Sequence, residues 1–290
     1  MSWRTVVISH RCKLDLKLGY MVVRGETETK RIFLEEVATL LIEDPAVSLT
    51  GCLLSALVEK KIKVIFCDNK RNPSSELVPF YGSHDCSRKL KAQISWDEHL
   101  KAVIWREIVA EKIRKQAEFL FDLGHKEECE LLRSYLPQIQ PGDTTNREGH
   151  AAKVYFNALF GMEFTRSEEC LTNSALNYGY GILLSTFNRE IVANGYLTQL
   201  GLFHDNMFNH FNLACDLMEP YRILVDRYVM DQKFTEFTTR EKHTVLGFLN
   251  TDVRIDNTTQ MLTNAIKIYV RSVFDALNDG DPAKIKMYRI

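Results

Sequence analysis

The sequence contains no long apolar run and no paired cysteine motif, and these absences exclude several classes of protein. No stretch reaches the roughly 18 consecutive apolar residues that a membrane-spanning helix requires. The first residues contain no apolar signal segment, so we expect a cytoplasmic protein with no membrane partner. The seven cysteines are odd in number, widely spaced and never arranged as CxxC, which argues against a zinc ribbon or a disulfide framework.

The chain also lacks an excess of charge of one sign. It has 37 Lys and Arg residues against 38 Asp and Glu residues, and its formal net charge is −1. Such a balance does not by itself indicate nucleic acid or a membrane surface, so any basic surface must be local. The 290 residues are 45% hydrophobic and 26% charged, which suits one large globular domain or two smaller ones.

The hydrophobic pattern changes its character once along the chain. Residues 1–67 contain short β-branched and alternating runs typical of a small antiparallel β-sandwich, together with a helix predicted at 49–61. Turn-forming residues cluster at 68–87, which we interpret as a linker. From 88 to 290 the pattern is helical. The helices predicted there include residues 88–123, 126–136, 143–160, 173–190, 211–230, 240–249 and 257–277. The predicted fold class is therefore α+β, a small β-sandwich domain followed by a larger all-α domain.

Two carboxylates, Asp216 and Glu219, stand three residues apart in an otherwise apolar run. On a helix this spacing puts both on one face, and acids beside a core need a cation, a hydrogen-bond donor or a metal ion. Arg222 and Arg227 are available as partners, so the spacing alone fits an ion pair as well as a metal site. Because Pro220 has no backbone N–H, we predict a kink there or a new helix beginning near Glu219.

Glu148 and His204 are further candidates for the same site. Carboxylate oxygens suit Mg²⁺ or Mn²⁺, and an imidazole is tolerated better by Mn²⁺. Taken alone, a histidine such as His204 is more often structural than a metal ligand. The sequence pattern therefore leaves open whether these groups meet at one divalent ion.

The run 171–181 alternates two glycines with two tyrosines where a helix would otherwise continue. Its Asn177 and Tyr178 side chains offer hydrogen bonds, which predicts a supporting role beside a polar site. The glycines equally fit a tight crossing of two helices.

A local basic excess lies at 88–115, where eight Lys or Arg residues face four Asp or Glu residues and Trp96 and Trp105 are interleaved. Basic residues with interleaved aromatics suit a phosphate backbone, although a solvated helix face has the same composition. The candidate DNA-binding residues are Arg88, Lys89, Lys91 and Arg147.

Four segments together resemble the CRISPR-associated integrase, the catalytic subunit of the machinery that inserts new spacers into a CRISPR array. They are REGHAAKVYF at 147–156, NSALNYGYGIL at 173–183, NGYLTQLGLFH at 194–204 and LACDLMEPYR at 213–222. Their order and spacing match the family, and the beginning of the chain and its length are most similar to the branch of type II systems. Tyr196 and Thr198 depart from the family, which usually has a leucine and a proline there.

The resemblance implies a catalytic metal ion, Mg²⁺ or Mn²⁺, held by Glu148, His204 and Glu219. It implies that Asp216 supports this site. It also implies that the β-sandwich is a dimerisation domain and that the helical domain is catalytic.

The implied reaction is a transesterification, in which a 3′-hydroxyl of a short prespacer duplex attacks a phosphodiester at the leader–repeat junction. No covalent protein–DNA intermediate is needed, so Tyr178 and Tyr180 are not expected to be nucleophiles. The implied partners are double-stranded DNA, a second copy of the chain, and a small companion protein in a complex of four integrase and two companion subunits. Two alternatives are a stand-alone metal-dependent nuclease acting on branched DNA and a non-catalytic DNA-binding scaffold.

Overall fold

The computed structural model describes residues 4–80 and 83–289. The chain forms two compact units, Met1–Gly82 and Ser83–Ile290. Their boundary falls inside the interval 68–87 that the sequence assigns to a linker, and residues 81 and 82 of this interval lie outside the described ranges. Among the described residues, none of the helices combines the length and the apolar character needed to cross a membrane.

The first unit contains eight described strands and one α-helix. They are Arg4–Ile8 (β1), Lys13–Lys17 (β2), Tyr20–Arg24 (β3), Thr29–Phe33 (β4), Val37–Ile42 (β5), Ser48–Leu49 (β6), Gly51–Glu59 (α1), Lys63–Cys67 (β7) and Pro73–Glu76 (β8), with a 3-10 turn at Leu34–Glu36. One sheet has the order β1-β5-β7-β8 and the other the order β4-β3-β2-β6. Helix α1 confirms the helix predicted at 49–61.

The strand directions differ from the prediction of an antiparallel sandwich. Strand β5 pairs in parallel with both β1 and β7. Both connections are long enough for parallel pairing, because the chain passes through β2, β3 and β4 between β1 and β5, and through β6 and α1 between β5 and β7. Strand β5 is buried along its whole length and is accordingly apolar at every position except Thr39, rather than alternating. Strand β8 pairs antiparallel with β7 although it lies within the predicted linker.

The second unit is mainly helical. Its α-helices are Cys86–Ile94 (α2), Glu98–Asp122 (α3), Lys126–Tyr135 (α4), Arg147–Phe160 (α5), Leu171–Ala193 (α6), Asn212–Met218 (α7), Arg222–Gln232 (α8), Thr239–Val245 (α9) and Leu262–Asp279 (α10). Its 3-10 turns are Leu136–Gln138, Pro141–Asp143, Glu219–Tyr221, Leu246–Asn250 and Pro282–Lys284, and its strands are Asp252–Ile255 (β9) and Thr258–Met261 (β10). The order of a β-rich unit and then a helical unit confirms the predicted fold class.

Two predicted helices need correction. Residues 88–123 form two helices, because the side chain of Asp97 accepts a hydrogen bond from the Leu100 amide and caps the start of α3. Residues 257–261 belong to a hairpin, because Asp256 and Asn257 both have positive φ, 50° and 61°, and form the tight turn between β9 and β10. The second unit is therefore not wholly α-helical.

The helix predicted at 211–230 is interrupted, as Pro220 predicts. Helix α7 ends at Met218, one 3-10 turn covers Glu219–Tyr221, and α8 begins at Arg222. The alternative of a new helix near Glu219 is confirmed. Glu219 therefore projects from the break between two helices rather than from a continuous helix surface.

Helix α3 lies at the centre of the second unit and packs against α4, α5, α7, α8 and α10. Its buried residues, which include Ile104, Trp105, Ile108 and Ile113, cover most of its circumference, and Glu118 lies on the more exposed side. A helix surrounded by others carries few polar side chains inward, so each one that it does bury requires a partner. Lys112 is such a residue.

Candidate functional site

A cavity of about 290 Å³ lies in the second unit and brings together the three predicted metal ligands. Helix α3, helix α5, the loop after α6, the Glu219 turn and helix α8 all contribute to its wall. The charged and titratable residues that line it include Lys112, Glu148, His204, Glu219, Arg222 and Asp226.

Glu148 is held by the start of α5. Asn146 adopts a left-handed conformation, φ 52°, and its side chain accepts a hydrogen bond from the Gly149 amide at 3.2 Å. The Asp143 carboxylate accepts from the amides of Arg147 and Glu148 at 2.8 and 2.9 Å. The helix thus begins at Arg147 rather than at the predicted 143, and its first backbone donors are satisfied by two side chains.

Glu219 is almost fully buried in its 3-10 turn and contacts two cations. Arg222 Nε donates to Oε1 at 2.8 Å, and Lys112 Nζ donates to Oε2 at 2.5 Å. Burial alone would raise the pKa of Glu219, but Arg222 and Lys112 overcome this effect and lower it to about 2. Glu219 is therefore a carboxylate at neutral pH.

His204 is positioned by Asp216, which is completely buried on α7. The Asp216 carboxylate accepts from His204 Nδ1 at 2.6 Å and from the amides of Leu202, Phe203 and His204 at 2.6, 3.1 and 3.2 Å. A Cβ on Gly201 would lie 2.3 Å from the His204 carbonyl oxygen and 2.7 Å from Asp216 Oδ2, so this loop requires glycine. The hydrogen bond that His204 Nδ1 donates to Asp216 raises the pKa of His204.

Lys112, which the sequence pattern did not single out, lies between the two glutamates. Its Nζ is 2.6 Å from Glu148 Oε1 and 2.5 Å from Glu219 Oε2. Burial would lower the pKa of Lys112, but the two carboxylates outweigh burial and raise it. No local signal reveals this contact, because the lysine is separated by 36 and 107 residues from its partners.

Across the described ranges, no three His, Cys, Asp or Glu side chains are already arranged as a closed metal site. The ammonium of Lys112 lies between two of the three predicted ligands, the carboxylates of Glu148 and Glu219. The donor set nevertheless fits a divalent ion. A cation already joins the two carboxylates, and Asp216 engages Nδ1 of His204, leaving Nε2 as the donor nitrogen. Proteins commonly orient histidine ligands by such a carboxylate.

A second buried carboxylate, Asp226 on α8, also lines the cavity. It accepts hydrogen bonds from the hydroxyls of Tyr155, at 3.0 Å, and Tyr180. Burial raises the pKa of Asp226 to about 6, although both hydroxyls and nearby Arg222 oppose the increase. The pKa of both tyrosines is also raised by burial. Asp226 stands in no recognisable sequence motif and was not among the predicted site residues.

The two predicted supporting residues, Asn177 and Tyr178, lie in different surroundings in the structure. Asn177 accepts from Arg166 Nη2 at 2.6 Å, and Arg166 lines the cavity. Tyr178 is buried against Phe237, with ring centroids 6.0 Å apart, and is not among the residues that line the cavity. Tyr180 lines it instead.

The surroundings of Gly179 show that two helices cross tightly at this position, which is the other interpretation of the glycines in 171–181. A Cβ there would lie 2.4 Å from Val225 Cγ1, so α6 and α8 approach too closely for any side chain at this position. The alternating glycines and tyrosines thus serve helix packing as well as the cavity.

The basic run 88–115 is not one uniform surface. Trp96 and Trp105 are buried, and Trp105 stacks on Phe203 with ring centroids 4.7 Å apart, so these aromatics belong to the core. The predicted DNA-binding residues take varied positions. Arg88 and Lys89 pair with Asp85 at 2.8 and 3.0 Å, Lys91 is exposed, and the Arg147 guanidinium lies over the Tyr135 ring.

Comparison with known proteins identifies relatives over nearly the whole chain. The family model described as CRISPR associated protein Cas1 matches residues 5–247. The CRISPR-associated endonuclease Cas1 of Neisseria meningitidis serogroup C (strain 8013) is 33% identical over 295 residues, which cover 100% of this chain and 97% of that protein.

Two solved structures share the fold. A chain of a Cas6-RT-Cas1--Cas2 complex aligns with a TM-score of 0.77 and 18% identity over 97% of this chain, which spans only 36% of that longer chain. A casposase bound to integration product aligns with a TM-score of 0.77 and 16% identity over 97% of this chain and 92% of that chain. At these identities the structures establish the fold alone.

Proposed function

Because the chain belongs to the CRISPR-associated Cas1 family, we propose that it is a metal-dependent DNA integrase that inserts prespacer DNA into a CRISPR array. The observation that carries this proposal is the convergence of Glu148, His204 and Glu219 on one cavity. They come from α5, the loop after α6 and the turn between α7 and α8. Three separate elements thus supply the donor set that the family resemblance implies.

In this proposal Glu148 and Glu219 bind Mg²⁺ or Mn²⁺ through carboxylate oxygens, and His204 binds through Nε2. The bound ion would stabilise the negative charge that develops on a reacting phosphodiester. Asp216 keeps the proton on Nδ1 of His204, so that Nε2 remains a donor of electrons. Arg222 holds Glu219 in position through its 2.8 Å hydrogen bond.

The chemistry that we propose is transesterification at the leader–repeat junction. The 3′-oxygen of the prespacer bonds to phosphorus, the bond from phosphorus to the leaving 3′-oxygen breaks, and the number of phosphodiesters is unchanged. Arg166, which hydrogen bonds to Asn177 beside the cavity, places a positive charge near an incoming phosphate. Tyr180 is not a nucleophile here, because burial beside Asp226 keeps its hydroxyl protonated.

We also propose that the protein works as a homodimer through its first unit, on double-stranded DNA and together with a small companion protein. The proposed complex contains four copies of this chain and two companion subunits. Two structural neighbours support DNA and a companion protein as partners, since one is a chain of a Cas6-RT-Cas1--Cas2 complex and the other is a casposase bound to integration product.

The test is an integration assay with a prespacer duplex, a supercoiled plasmid carrying the leader and repeat, the companion protein and Mn²⁺. We expect Glu148→Ala, His204→Ala and Glu219→Ala each to abolish strand joining while retaining the fold by circular dichroism. If all three variants join strands as well as the parent protein, the assignment of the site is wrong.

A second candidate function is hydrolysis of branched DNA at the same site, with water as the nucleophile. The Neisseria relative is named an endonuclease, and this name is the reason to test for hydrolysis. Branched DNA labelled at its ends separates the two activities, because an integrase yields joined strands and a nuclease yields only shortened ones. A non-catalytic scaffold would yield neither.

A further inference from the structure

Lys112 is the only lysine within hydrogen-bond distance of two predicted metal ligands among the residues that the structure describes. Its side chain is 11% exposed, and those of Glu148 and Glu219 are 22% and 4% exposed. One ammonium therefore bridges two mostly buried carboxylates that come from different elements of the cavity wall.

The charges around this ammonium balance. Lys112 and Arg222 carry two positive charges, and Glu148 and Glu219 carry two negative charges. Two buried carboxylates held close together would repel each other strongly if no cation lay between them. Lys112 satisfies this requirement from α3, which packs against five other helices of the unit.

The contact geometry resembles that of a bound ion. An ammonium is a compact point charge on a flexible stem, and it contacts one oxygen of each carboxylate. A divalent ion placed between these two oxygens would take the position of this nitrogen. The lysine and the metal ion therefore cannot both occupy the position between Glu148 and Glu219.

We propose that Lys112 is an internal counter-cation that keeps the two ligand carboxylates together before the metal ion binds and competes with that ion for them. This inference rests on the proposed metal site. Lys112 is a positioning residue, which acts through Glu148 and Glu219. The presence of Lys112 therefore gives the site a lower affinity for the metal ion than the same ligands would have without the lysine.

The test measures Mn²⁺ binding to the full chain without DNA, by electron paramagnetic resonance of free Mn²⁺ and by calorimetry. Lys112→Met removes the charge at similar length, and Lys112→Gln removes the charge but keeps a hydrogen-bond donor, which serves if the methionine variant does not fold. We expect both to bind Mn²⁺ about tenfold more tightly than the parent protein, because no ammonium has to be displaced.

Two controls define the effect. Lys112→Arg retains a positive charge and is expected to bind Mn²⁺ no more tightly than the parent. Lys101→Met removes a lysine from the same helix, three turns earlier, where the lysine pairs with Glu98, and is expected to leave the affinity unchanged. A second readout is the melting temperature. In EDTA, Lys112→Met and Lys112→Gln are expected to melt at a lower temperature than the parent protein. On addition of Mn²⁺, their melting temperatures are expected to rise by more than that of the parent.

Two outcomes overturn the inference, and they are distinguishable. If Glu148→Ala removes Mn²⁺ binding but both neutral Lys112 variants bind with the parent's affinity or more weakly, Lys112 does not compete with the ion. If Glu148→Ala binds Mn²⁺ as well as the parent protein, the proposed metal site itself fails, and the inference about Lys112 fails with it.

Discussion

The hydroxyl of Tyr288 donates a hydrogen bond to the carbonyl of Pro220 at 3.0 Å, so the C-terminal segment braces the turn that carries Glu219. The Tyr288 ring lies 4.4 Å from that of Tyr221, and its carbonyl accepts from Lys115 Nζ at 2.7 Å. A residue near the end of the chain thus helps to fix a ligand of the candidate site.

Tyr288→Phe removes this hydrogen bond and leaves the Pro220 carbonyl buried without it. We expect the free energy of unfolding to fall by about 1–2 kcal/mol, measured by urea denaturation. Tyr269→Phe is the matched control, since Tyr269 is also fully buried and its hydroxyl has no hydrogen-bond partner within the described residues. Equal losses in the two variants would show that the bond to Pro220 contributes nothing.

Gly201→Ala places a methyl group against the His204 carbonyl and the Asp216 carboxylate. Because the His204 carbonyl in the loop and the Asp216 carboxylate on α7 both pack closely against Gly201, we expect the loop to shift, at a cost of about 1–3 kcal/mol in stability, and Mn²⁺ affinity to fall. The measurements are urea denaturation and Mn²⁺ titration. Gly51→Ala is the control, since no atom lies within 4 Å of its added Cβ. Unchanged Mn²⁺ affinity in Gly201→Ala would argue against a role for this loop in binding metal.

Asp216→Asn tests the support of His204 directly. The amide cannot accept charge-assisted hydrogen bonds from Nδ1 and three backbone amides, so the imidazole loses its fixed orientation. We expect Mn²⁺ affinity to fall by about 10–100-fold, as is typical when such a partner of a ligand is lost. A Kd within twofold of the parent value, by calorimetry, would refute this role.

Asp226 predicts a specific dependence of stability on pH. Its pKa is about 6 in the folded protein against an ordinary value of 3.8, so between these values the folded state holds a proton that the unfolded state has released. Stability therefore falls as pH rises from 4 to 6, by about 2–3 kcal/mol from this group, and the loss is constant above that range.

Asp226→Asn has no proton to release, and this component of the pH dependence disappears. The measurement is the free energy of unfolding of both proteins at intervals from pH 4 to 7. We expect the difference between variant and parent to shift in favour of the variant as pH rises, and to level off above pH 6. A difference that is independent of pH would show that Asp226 titrates near its ordinary pKa.

Much of the candidate site could be predicted from the sequence, because Glu148, His204 and Glu219 each stand in a short segment with recognisable neighbours. The helix break at Pro220 follows from its missing N–H and was equally predictable. Lys112 was not, because its role depends on chain segments 36 and 107 residues away that meet only after folding.

The errors in the predicted fold have two different causes, one distant in the sequence and one local. The mostly apolar sequence of β5 does not reveal which strands flank it, so its parallel pairing with β1 and β7 was missed. Asp256 and Asn257 form a hairpin turn, but the apolar residues that follow them have a helical period, and the helix was therefore started too early.

The most direct test of the metal-site assignment is an anomalous difference map from a crystal of the protein soaked in Mn²⁺. We predict one strong peak bounded by Glu148, His204 Nε2 and Glu219, with the Lys112 ammonium displaced from between the two carboxylates. A map with manganese bound only elsewhere, and Lys112 still bridging Glu148 and Glu219, would contradict it.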